Sequence, residues 1–179
     1  MEMRNVSLAG RNLWWLLVSV FVVFVDQVTK FAVVENMEYL QRIPLLSMLA
    51  LQRLHNPGAA FSFLADASGW QNWLFMIVAL VVSVVIMWWL ASLPRSGRRV
   101  LALGLALVLG GAIGNVIDRV LYGYVVDFIL LHYQSWSYPA FNMADSAITC
   151  GVVLILYDGV ILERRRAKKK APRHHAGGA

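Results

Sequence analysis

Four apolar stretches, at roughly 13–34, 73–93, 100–117 and 141–162, each approach the length needed to cross a bilayer. A spanning helix takes about 20 residues at 1.5 Å each. In a chain of 179 residues they leave no room for a large soluble domain. The composition agrees: 59% of residues are hydrophobic and 15% charged, against roughly 45–50% and 25% in a soluble domain. The expected fold is membrane all-α, a bundle of four transmembrane helices. The third stretch is the shortest, so its ends should lie near the two interfaces. The first has Arg4 and Arg11 ahead of an apolar core, as a signal peptide would. However, Phe31-Ala32-Val33 is no cleavage site, and Asp26 and Lys30 interrupt the place where one belongs. It reads as a retained helix.

Basic residues set the expected orientation. Arg4 and Arg11, then Arg95, Arg98 and Arg99, then seven more between Arg164 and Arg173 all fall on one side of a four-span chain. By the positive-inside rule both termini are cytoplasmic, and the connections 35–72 and 118–140 face outward. The chain divides into one membrane domain, 1–165, and a basic tail, 166–179, expected to be disordered. That tail accounts for the net charge of +6, so the charge is no sign of nucleic-acid binding. Cys150 is the only cysteine, which excludes an internal disulfide, and it reads as a small packing residue of the fourth span. His55, His132, His174 and His175 lack ligand spacing, so neither a metal nor another cofactor is expected. The absence of a convincing internal repeat speaks against a repeat-built transporter.

The first outward connection is unusually apolar. Residues 43–51 are followed by Asn56-Pro57-Gly58, a strong turn signal. The β-prone flanks suggest a small sheet lying on the membrane surface. Asn56 is then either a structural turn residue or an amide offered to a bound peptide backbone.

Ionisable groups near hydrocarbon cost about 2.5–3.5 kcal/mol each on insertion scales, so each one here needs a reason. Asp26 and Lys30 are four apart on one helix face, acid first, the favourable order for an ion pair; Gln27 adds hydrogen-bonding capacity beside them. Gly110 and Gly114 form a GxxxG pair that admits a close helix neighbour. Asn115 and Asp118 then share a face, while Arg119 points elsewhere. Asp127 lies in the second outward connection, Asp145 in the first turns of the fourth helix, and Asn142 three residues before Asp145. Both aspartates can therefore sit at one depth near the outer surface. Asp158 lies about 20 Å further along the fourth helix, at its opposite end, and reads as structural. Two carboxylates that share a site hold one proton between them. Such a pair can activate water for hydrolysis. It can equally serve as a proton relay or cation site, as in a proton-coupled membrane carrier.

The motifs Asp26-Gln27-Val28-Thr29-Lys30, Asn56-Pro57-Gly58-Ala59-Ala60-Phe61-Ser62, Gly114-Asn115-Val116-Ile117-Asp118-Arg119, Val126-Asp127-Phe128 and Phe141-Asn142-Met143-Ala144-Asp145 together resemble the lipoprotein signal peptidase (signal peptidase II) family. The resemblance covers nearly the whole chain, without departure at these positions. It implies an intramembrane aspartyl endopeptidase of the bacterial inner membrane, with four helices, a small extracytoplasmic β-sheet and a site near the periplasmic side. Asp127 and Asp145 would be the catalytic dyad. Asn56, Asn115, Arg119 and Asn142 would hold substrate or dyad, with Asp26, Lys30, Gly58 and Asp118 in support. The implied substrate is a diacylglyceryl-modified prolipoprotein, cut just before its lipidated cysteine. Membrane lipids and the inhibitor globomycin are further implied partners.

Overall fold

The structure is a computed structural model, and it describes residues 13–58, 70–94 and 97–170. The motif residues Ala59 to Ser62 lie outside the described residues, as do Arg4, Arg11, Arg95 and the end of the tail from Ala171, including Arg173, His174 and His175.

Four helices are long and apolar enough to cross a membrane. They are α1 (Leu16–Asn36), α2 (Trp70–Ser92), α3 (Arg99–Tyr122) and the continuous helix Met143–Arg166, whose first part is α4 (Met143–Tyr157). Helix α4 continues through a π-helical turn, Asp158–Leu162, into α5 (Glu163–Lys170). The chain thus stays helical through Lys170, well into the stretch expected to be a disordered tail.

Helix α3 is the centre of the bundle. In its most apolar window 56% of residues are buried, against 28%, 17% and 11% for the other three spans. Their exposed faces carry Leu17, Phe21, Phe24, Val81, Trp88, Val153 and Leu156, side chains suited to lipid. Small residues make the central position possible. A Cβ on Gly110 would lie 2.7 Å from Val22 Cβ and 2.8 Å from the Ser19 carbonyl of α1. On the other side, Gly104 and Gly151 let α3 and α4 meet backbone to backbone. The GxxxG expectation therefore identifies its partner as α1. Cys150 corrects another expectation: it is exposed on the outer face of α4 and packs no core.

Helix α3 also runs longer than its apolar stretch, by five residues through Tyr122. Its polar end is helical because Asn115 and Asp118 are buried against protein, not lipid or water. Gly123, at φ 78°, then takes the left-handed conformation that ends the helix, its N–H bonded to the Arg119 carbonyl.

At this end of the bundle sits a four-stranded antiparallel sheet in the order β1-β2-β3-β4. Its strands are β1 (Arg42–Leu46), β2 (Leu49–Asn56), β3 (Val125–Tyr133) and β4 (Trp136–Ser137). The expected sheet is present, with a different turn. Strands β1 and β2 are joined at Ser47-Met48, while Asn56-Pro57-Gly58 is the exit from β2. Strand β2 pairs with β3 across the long sequence gap, setting Leu54 opposite Asp127 and Asn56 opposite Val125. The segment before α4 joins the sheet as well: the N–H groups of Phe128 and Ile129 both donate to the Phe141 carbonyl, at 3.1 and 2.8 Å. That bridge brings the start of α4 alongside β3.

Candidate active site

Asp145 is the third residue of α4, and its placement follows from local sequence. Asn142 caps the helix: its side chain accepts from the Asp145 N–H at 2.9 Å, while Asp145 Oδ2 accepts from the Asn142 N–H at 3.2 Å. This reciprocal capping box satisfies two N–H groups that a helix start would otherwise leave unpaired. It also turns the Asn142 amide nitrogen toward β3, where it lies 2.8 Å from Asp127 Oδ1, 3.2 Å from the Val126 carbonyl and 3.1 Å from Asn115 Oδ1. Asp127 Oδ2 accepts from Asn56 at 2.9 Å, and Asp145 Oδ1 accepts from Asn115 at 2.8 Å. Each carboxylate is therefore held at both oxygens, and Asn142 touches both.

Behind the amides lies the buried Lys30. Its ammonium contacts Asp26 Oδ2 at 2.8 Å, Asp118 Oδ2 at 2.9 Å and Asn115 Oδ1 at 3.0 Å. Three acceptors use all three of its donors. The two carboxylates also grip backbone. Asp26 Oδ1 accepts from the Ala144 N–H of α4 at 2.9 Å, and Asp118 Oδ2 from the Val126 N–H of β3 at 3.0 Å. Gln27 closes the group, donating to Asp118 at 2.9 Å and to Asp26 and the Gly114 carbonyl at 3.2 Å. The expected Asp26–Lys30 ion pair is thus one edge of a larger cluster. Asp26 fixes the helix that carries Asp145, and Asp118 fixes the strand that carries Asp127. Gly114 is where these meet, since a Cβ there would lie 2.6 Å from Asp26 Oδ2.

Arg119 forms no ion pair among the described residues. Its guanidinium donates to the Asn115 carbonyl at 3.2 Å and stands 5.6 Å from the centre of the Phe75 ring. Phe75 was not singled out in the sequence; one aromatic residue in an apolar helix carries no signal there. Gly58, at φ 100°, packs on the same ring: a Cβ would fall 2.6 Å from Phe75 Cδ2. Its N–H donates to Asn56 Oδ1 at 2.9 Å, which aims the Asn56 amide nitrogen at Asp127. Of the two readings of Asn56, the structure contains the turn contact and adds an amide committed to Asp127.

Burial dominates the electrostatics of Asp127, which is 3% exposed. Desolvation pushes its pKa up to about 7; the Asn56 hydrogen bond opposes the rise and the negative charge of Asp145 adds to it. On neighbouring β2, His55 is held below the usual imidazole value by burial and then by Arg53. Its ring stacks on Tyr124 and lies tilted against Tyr39, with centroids 3.9 and 4.4 Å away.

All ten site residues singled out in the sequence gather at this end of the bundle, linked by hydrogen bonds, ion pairs or, for Arg119 and Gly58, the shared Phe75 ring. Asp158 does not join them. It is buried at the far end of α4, bonded to Arg98 and Arg166.

Four spans and a small sheet with a carboxylate pair at their junction describe a multi-pass membrane protein, and known proteins identify it as an enzyme. A bacterial membrane enzyme solved by the in meso method at 2.3 Å superposes with a TM-score of 0.74 at 31% identity, over 88% of this chain and 92% of its own. The family model of signal peptidase (SPase) II matches residues 18–161. Lipoprotein signal peptidases of Acinetobacter baylyi and Pseudomonas aeruginosa are 46% and 50% identical, over 91% and 87% of this chain and 90% and 92% of their own length. The chain belongs to the signal peptidase II family, and is a peptidase by that membership. No comparison supports the carrier alternative.

Proposed function

We propose that this protein removes the signal peptide from diacylglyceryl-modified prolipoproteins, cutting just before the lipidated cysteine, with Asp127 and Asp145 as the catalytic pair. The observation that carries the reading is the pair itself. Two carboxylates, each held at both oxygens by amide or backbone N–H donors, share Asn142 at the membrane end of the sheet.

The arrangement suits a tethered substrate. A signal peptide lies in the bilayer, so its scissile bond reaches a site at the boundary between helices and sheet without leaving the membrane. The pair attacks the peptide carbonyl with water. Arg119, unpaired among the described residues, would hold the substrate backbone, and Asn56 holds Asp127. Lys30, Asp26 and Asp118 keep the two carrying elements in register. The distribution of basic residues supports cytoplasmic termini and a site on the periplasmic side of the inner membrane. Exposed Leu45, Leu46, Met48, Trp136 and Tyr138 on the sheet suit contact with lipid. The same site is the proposed target of globomycin.

The test is cleavage of a diacylglyceryl-modified precursor by purified enzyme, with chelator present. Asp127→Asn and Asp145→Asn should each abolish cleavage while keeping the fold. Normal processing by either variant rejects the dyad. Loss of wild-type activity on chelation rejects the metal-free mechanism.

A further inference from the structure

The two aspartates sit in unequal settings. Asp145 occupies the first turn of α4, where the helix dipole favours an anion. It accepts from a backbone N–H through Oδ2. Its Oδ1 accepts from Asn115, whose own oxygen is held by the Lys30 ammonium at 3.0 Å. Asn115 is thus oriented by a cation and presents its N–H end to Asp145. It is the only side chain among the described residues that bonds both Lys30 and a member of the pair. Asp145 is also half-buried, less enclosed than Asp127.

Asp127 has none of this. It lies on a strand, which has little net dipole. Its partners are the neutral amides of Asn56 and Asn142. It is 3% exposed. The charged groups around it are Asp145 from α4, Lys30 and Asp26 from α1, and Asp118 and Arg119 from α3. Lys30 is already engaged by Asp26 and Asp118.

We propose that this wiring breaks the symmetry of the pair: in the resting enzyme Asp145 is the ionised member that takes a proton from water, and Asp127 is the protonated member that gives one to the scissile carbonyl. The inference rests on the dyad reading above. Asp145 removes a water proton as the water oxygen bonds to the carbonyl carbon. The carbonyl electron pair moves to its oxygen, which takes the proton of Asp127. In the tetrahedral diol, Asp127, now ionised, takes back a hydroxyl proton as the C–N bond breaks. The departing nitrogen takes the proton that Asp145 holds. Both residues return to their starting states. The elevated pKa of Asp127, about 7, is consistent with this order.

Infrared difference spectroscopy of the full-length enzyme in lipid reads the proton directly, through the C=O stretch of a protonated carboxyl. The wild type should show such a band that disappears as pH rises through about 7. Asp127→Asn should lose it. Asp145→Asn should keep it with a lower midpoint, because one neighbouring negative charge is gone. A band lost only in Asp145→Asn, lost in both variants, or absent from the wild type overturns the order. The cleavage assay separates the two readings. If both variants are inactive and the band belongs to Asp145, the order falls and the dyad stands; if Asp127→Asn cleaves normally, the dyad itself falls.

Discussion

The two ends of the bundle each bury carboxylates, and they balance them in opposite ways. At the far end, Asp158 accepts from Arg166 at 2.8 and 3.0 Å and from Arg98 at 2.8 Å, and Glu163 pairs with both arginines. Two anions meet two cations, and the cluster is closed. At the sheet end, Asp26, Asp118, Asp127 and Asp145 share Lys30 and an Arg119 that forms no described ion pair. Four anions face two cations, so full ionisation leaves two charges uncompensated in a poorly solvated place. A proton retained near neutral pH would suit the acid–base chemistry proposed for this end. On that proposal, the structural and the chemical carboxylates differ in whether their network closes.

The comparison breaks most sharply at its charged members. Asp127→Asn or Asp145→Asn should lower kcat by about 10³-fold or more, within the range general acid–base groups supply. Asp158→Asn should leave kcat within about threefold of wild type. A large loss of activity in the Asp158 variant, at unchanged fold, would show that the far end takes part in turnover.

Lys30→Met should have the next largest effect, and on stability. It leaves Asp26 and Asp118 buried without their cation, a loss of about 3–5 kcal/mol by the precedent of broken buried pairs. Denaturant titration in detergent measures it. A variant as stable as wild type would mean that protons or water replace the ammonium at little cost. Asp158→Asn should cost less, about 1–2 kcal/mol, because Arg98 and Arg166 are 27% and 29% exposed and stay partly hydrated. Its loss should shrink as salt is raised, whereas the Lys30 loss should not.

The sequence carried much of this contrast. The four spans, the GxxxG contact and the separation of Asp158 from the other aspartates follow from length, spacing and helical rise. The capping box is legible too, since Asn142 and Asp145 stand at its spacing. What failed to show is informative. The apolar stretch of α3 stops at Ile117, just past Asn115, so the polar end looks like an exit from the membrane; its partners lie on α1, β3 and α4, where no local pattern points. Cys150 was misjudged because hydropathy does not separate a lipid-facing side from a packed one when both are apolar. Strands β2 and β3 pair across some seventy residues, and their register determines which side chains meet Asp127. Lys30 reads as half of a helical ion pair; its bond to Asn115, the link to Asp145, exists only once three elements are packed.

That link supplies the smallest effect and the finest test of the asymmetry. With the proposed dyad, kcat/KM is bell-shaped, falling on both sides of its optimum. Asp127, with its pKa raised to about 7, would set the alkaline limb: as pH rises through 7 the proposed donor ionises and activity falls. The same sign applies to stability. A raised carboxyl pKa favours the fold at low pH, and that contribution fades as pH rises through the folded value. Asn115→Ala removes a donor from the ionised form of Asp145 and leaves the Asn56 and Asn142 contacts of Asp127 in place. A hydrogen bond to a charged group is worth about 1.5–3 kcal/mol, so kcat/KM of the folded enzyme should fall about tenfold or more while the alkaline limb holds. A purely structural Asn115 would lower the folded fraction and leave kcat/KM of the folded enzyme unchanged. Movement of the alkaline limb alone would tie Asn115 to the proton donor, which is the reverse of the wiring seen here.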